Sequence, residues 1–90
     1  MYKIKLDNSK QFKKDWERLN KNLLEKKKIK KWLEKLSLTF PNTSNIKRLE
    51  PKQEHKFRLR IWDYRVVFWV DYGNKIIIIY RIWLRKDIYA

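Results

Sequence analysis

The chain has 90 residues, a length that holds one domain with a modest core, so residues 1–90 are read as a single domain. Its 43% hydrophobic residues, with five Trp, five Tyr and four Phe, exclude a disordered tail, and the absence of Cys excludes disulfides and thiolate metal centres and suits a reducing cytoplasm. Lys and Arg number 24 against 10 Asp and Glu, a net charge of +14 that points to polyanionic partners, nucleic acid first.

The first residues, Tyr2, Ile4 and Leu6 against Lys3 and Lys5, alternate as a short strand. They contain no apolar h-region, and the longest apolar run, Ile76 to Tyr80, is far short of the roughly 20 residues a membrane span needs. Neither a secretory signal nor a membrane contact is expected.

Asp7-Asn8-Ser9 offers a turn, with Ser9 the N-cap of a first helix over about residues 10 to 20. Phe12, Trp16, Leu19 and Leu23 follow at helical spacing. Asn22, with Glu25 three residues later, resembles a capping box for a second helix from about 23 to 37. Ile29, Trp32, Leu33, Leu36 and Phe40 share one face of that helix, and its lysines form a solvated opposite face.

Pro41 to Asn45 reads as a loop, and Ile46 to Leu49 as a short segment leading to a breaker at Pro51. Residues 55–61, 64–71 and 75–84 then read as three strands, with Gly73 and Asn74 supplying positive φ at the second turn. The order is βααβββ: an α+β fold whose helical hairpin packs on one face of a four-stranded, mainly antiparallel twisted sheet. Trp16, Trp32 and Trp69 are read as core residues, whereas Trp62 and Trp83 are candidates for stacking on bases.

The chemistry concentrates in the sheet half. Alternation over residues 55–61 places Phe57, Leu59 and Ile61 on one face and Lys56, Arg58 and Arg60 on the other, about 7 Å apart along the strand. Such a ladder suits a phosphodiester backbone. Arg65, Arg81, Arg85 and Lys86 extend it, and five of the seven arginines follow residue 57. Arg grips phosphate bidentately where Lys is a hydrated point charge, so the sheet half is built to hold phosphates. His55 stands alone, the acidic residues are scattered and there is a single Gly, so no metal site, no cofactor and no glycine-rich phosphate loop is expected.

The stretch from His55 to Phe68, with Asp63-Tyr64-Arg65 at its centre, resembles the pattern Y-x-x-R-V-G-D-Y-R-V-I-Y of the RelE/ParE toxins of type II toxin–antitoxin systems. The end, Ile82 to Tyr89, resembles their V-G-H-R-K-D-V-Y, and Asn45 to Leu49 and Phe12-Lys13-Lys14 resemble the segments expected upstream. The resemblance implies a ribosome-dependent endoribonuclease that cuts mRNA in the ribosomal A site, where the 2′-OH attacks the adjacent phosphate. It gives Arg58, Arg65, Arg85 and Tyr89 the catalytic positions and sets Lys56 on the phosphate, and the run of cations adds Arg60, Arg81 and Lys86 as RNA-phosphate binders. It also implies a cognate acidic antitoxin, with which the chain could form a hetero-oligomer.

Two departures from the pattern matter. Trp62 replaces a glycine, which calls for another turn geometry at Trp62-Asp63, and Trp83-Leu84 replace Gly-His. Two alternatives therefore stay open: a ParE-like poison of gyrase, and a catalytically inactive basic RNA-binding relative.

Overall fold

The computed structural model describes residues 1–50 and 53–84. Its elements are β1 (Lys3–Leu6), α1 (Lys10–Asn20), α2 (Leu23–Thr39), β2 (Ile46–Glu50), β3 (Gln53–Ile61), β4 (Tyr64–Asp71) and β5 (Ile76–Leu84). Both helices start where a side chain can satisfy an unpaired N–H. Ser9 Oγ accepts from the Phe12 amide and Asn22 Oδ1 from the Glu25 amide, each at 3.2 Å. Leu23 opens α2 as expected, but it is exposed and does not extend the apolar stripe of α1.

The sheet has five strands in the order β1-β5-β4-β3-β2, one more than expected. The added strand is β2, which pairs antiparallel with β3 through Ile46↔Leu59, Lys47↔Arg58 and Arg48↔Phe57. Five residues with two cations, followed in sequence by Pro51, give a weak strand signal because an edge strand is held by backbone pairing more than by burial. At the other edge β1 runs parallel to β5, from Lys3↔Ile76 to Leu6↔Ile79, as the crossover through the helices requires. The remaining pairs are antiparallel.

One face of the sheet forms the core with the helices. Phe57, Leu59, Ile61, Val66, Phe68, Val70, Ile77, Ile79 and Ile82 meet Phe12, Leu19, Ile29, Leu33, Leu36 and Phe40. Phe40, just past α2, sits edge-on to Phe57 and Phe68 at 5.3 and 6.0 Å between centroids. Burying each such side chain contributes roughly 1.5–3 kcal/mol before entropy is counted. Register slips between Val67↔Arg81 and Phe68↔Ile79, leaving Tyr80 as the extra residue of a bulge. The bulge resets the phase of β5, so that Ile82 rather than Arg81 joins Ile77 and Ile79 in the core.

Two turns differ from expectation. Trp62 adopts φ 50° and so keeps the left-handed conformation that glycine fills most easily; no other turn geometry is adopted. In the β4–β5 turn the positive φ falls on Lys75 (54°), not on Gly73 or Asn74. There the Asp71 carboxylate accepts from the Asn74 backbone and side-chain amides at 3.1 and 2.9 Å. Among the described residues no helix is long and apolar enough to cross a membrane.

Candidate nucleic-acid interface

Because both helices cover one face, the alternate residues of β2, β3 and β4 face outward on the other. Lys56, Arg58 and Arg60 stand there on β3, as their alternation with buried Phe57, Leu59 and Ile61 dictates. Pairing then sets like charges against each other: Lys47 lies opposite Arg58, and Arg60 opposite Arg65. Like charges directly across a ladder are destabilising, typically by a few tenths of a kcal/mol or more. Among the described residues Lys47, Arg58 and Arg60 have no carboxylate to offset them. Among the described residues, like charges thus face each other across two ladders of this surface.

Aromatic rings interleave with these cations. Lys56 pairs with Trp69, and its Nζ lies 5.8 Å from the Trp69 ring centroid and 5.4 Å from that of Tyr80. Trp69, expected in the core, is 41% exposed on this open face, whereas Trp16 and Trp32 pack against the core as expected. Trp62 is 59% exposed with Lys28 Nζ 4.2 Å from its ring centroid, and Trp83 carries the Arg81 guanidinium 4.9 Å from its centroid.

The structure therefore brings Lys56, Arg58, Arg60 and Arg65 onto one face, with Lys47 added by the unforeseen strand. Arg81 is engaged elsewhere. Its Nε donates to Asp15 Oδ2 at 2.9 Å, and the same oxygen accepts from the Ile82 amide at 3.0 Å. Since β1 stops opposite Ile79, the carboxylate of α1 takes the place of a strand partner at this edge. Asp15 is 4% exposed, a residue sequence reasoning passed over although it sits between Phe12 and Leu19 in the apolar stripe. Arg85, Lys86 and Tyr89 lie outside the described residues.

A family model, the ParE toxin of the type II toxin–antitoxin system parDE, matches residues 6–89. The chain belongs to the ParE toxin family of the RelE/ParE superfamily. As a ParE-family member it is a toxin of a type II toxin–antitoxin system. The fold of the family is shared by two crystal structures. The RelB–RelE antitoxin–toxin complex of Methanococcus jannaschii matches at 24% identity over 94% of each chain, with a TM-score of 0.69. YafQ from E. coli strain BL21(DE3) matches at 18% identity over the full length of both chains, with a TM-score of 0.66. No curated protein matches the sequence significantly.

Proposed function

We propose that this toxin is a metal-independent endoribonuclease that cleaves mRNA at the ribosome, in the cytoplasm, and so stops translation. The observation that carries the reading is the open-face cluster, in which Lys47 opposes Arg58 and Arg60 opposes Arg65 without carboxylates beside Lys47, Arg58 or Arg60 among the described residues. In the reaction the RNA 2′-OH attacks the adjacent phosphorus. The bond to the 5′-oxygen breaks, leaving a 2′,3′-cyclic phosphate and a 5′-hydroxyl. Arg58, Arg65 and Lys56 neutralise charge on the phosphorane; one such fixed donor is worth about 2.7–4 kcal/mol. Arg85 and Tyr89 move the protons. Arg60 and Lys86 hold flanking phosphates, and Arg81 contributes its remaining N–H groups from the Asp15 pair.

The same excess of positive charge supports an acidic antitoxin as the inhibitory partner. The complex of a RelE with its RelB is consistent with such an assembly. A second reading, poisoning of gyrase, is favoured by the match to the ParE model itself. In vitro translation with primer-extension mapping of the mRNA, alongside a gyrase supercoiling assay, separates them. Discrete mRNA cuts that need the ribosome, with supercoiling unaffected, are the expected result. Blocked supercoiling with intact mRNA would establish the gyrase reading, and intact mRNA with unimpaired gyrase a catalytically inactive RNA-binding relative.

A further inference from the structure

Neither arginine chemistry nor the core accounts for Trp69. It occupies β4 between buried Phe68 and Val70, yet its indole points away from them and is 41% exposed. Leaving so large an apolar ring in water forgoes the burial that stabilises its neighbours. Its surroundings hold it in place. Tyr80, on the open face by alternation from core Ile79, lies 6.1 Å from it between centroids at 40°. Lys56, directly across the ladder, sets its ammonium over both rings. Arg58 stands two residues along the same face.

We propose that Trp69, backed by Tyr80 and Lys56, stacks on an unpaired base of the RNA while Lys56 and Arg58 hold the adjoining phosphates. This rests on the reading of the open face as the RNA site. An open sheet face suits a single strand, which offers a π-face and a phosphate at every nucleotide, whereas a duplex keeps its bases in the stack. The cation beside the rings and the next cation about 7 Å further along match that repeat of charge and ring. Trp69 is thus a base-positioning residue, and stacking makes it tolerant of which base it receives.

The test is equilibrium binding of the full chain to a short fluorescent oligouridylate whose 2′-hydroxyls are methylated, so that it cannot be cut. Trp69→Ala and Trp69→Leu should each weaken binding about 5- to 150-fold. Trp69→Phe, which keeps a π-face, should stay closer to the parent. None of the three should change the dependence of affinity on salt, because no charge is lost, whereas Arg58→Ala should lower that slope by about one. Replacing one nucleotide at a time by an abasic one should reproduce the loss at a single position. If Trp69→Leu binds as the parent does, or as tightly as Trp69→Phe, side-chain bulk alone is at work and stacking is overturned while the RNA reading stands. If the parent itself binds no RNA, both fall.

Discussion

Asp15 and Arg81, 66 residues apart in the chain, are joined at 2.9 Å, and the same carboxylate oxygen holds the Ile82 amide at 3.0 Å. The pair fastens α1 to the edge of β5 at the bulge. Removing the buried partner leaves an amide without an acceptor and a cation without a counter-charge. The Arg81 side chain is 37% exposed and can rehydrate, which moderates the loss. Asp15→Ala should cost about 2–3 kcal/mol, and Asp15→Asn less, because an acceptor remains. Urea unfolding of the two variants checks the order. Arg81→Ala should lower stability and, through loss of its outer N–H groups, weaken RNA binding slightly; weakened binding with stability intact would make Arg81 a phosphate ligand alone.

Trp62 opens the β3–β4 turn at φ 50°, a conformation that costs a non-glycine residue about 1 kcal/mol or more. Its contact with Lys28 returns roughly 0.5–1 kcal/mol at an exposed site. Trp62→Ala keeps the strain and loses the contact, whereas Trp62→Gly loses both. Glycine should therefore be more stable than alanine here by about 1 kcal/mol and nearly equal to the parent. Thermal melts of the three proteins measure this, and alanine equal to glycine would show that the turn carries no strain.

Much of this was legible in the chain. Ser9 and Asn22 mark the helix starts because a side-chain acceptor three residues before an amide is a local signal. Lys56, Arg58 and Arg60 fall on the open face because their neighbours Phe57, Leu59 and Ile61 alternate without interruption. What escaped depends on partners distant in sequence. β2 is a strand because β3 offers it backbone groups, and its own five residues say little. Arg81 leaves the open-face cluster because a buried Asp15 on α1 waits at the edge of β5, 66 residues away in the chain. Trp69 was legible in principle: period-two alternation from Phe68 and Val70 puts it outside, but its size suggested the core.

Asp71 is held below the ordinary carboxylate range, first by the Asn74 side-chain amide and then by the Asn74 backbone amide. A carboxyl with a depressed folded value stabilises the protein above its unfolded value, and that contribution is lost as pH falls through the folded one. The β4–β5 turn should accordingly add stability that is constant above about pH 5 and declines below about pH 4. Asp71→Asn should remove this part of the acid sensitivity. Unfolding curves of parent and variant at several pH values should converge in acid, and a constant difference would count against the assignment.

An acidic antitoxin segment that covers the open face would pair with a surface of net positive charge, so its affinity should fall as salt rises. The segment should be disordered when free and ordered on binding. Titration calorimetry at several ionic strengths, with circular dichroism of the free peptide, examines both points. Affinity indifferent to salt would place the contact on an apolar surface instead.

Single-turnover cleavage of ribosome-bound mRNA by Arg58→Ala tests the central claim most directly. Arg58 stands on the open face opposite Lys47, has no carboxylate beside it among the described residues, and takes no part in the core. The account predicts cleavage slowed by about 100-fold or more, as for loss of a donor to the transition state, with the melting temperature kept. Ribosome affinity should change far less, because the remaining lysines and arginines share that load. Cleavage at the parent rate by a folded Arg58→Ala protein would contradict a phosphate clamp on this face.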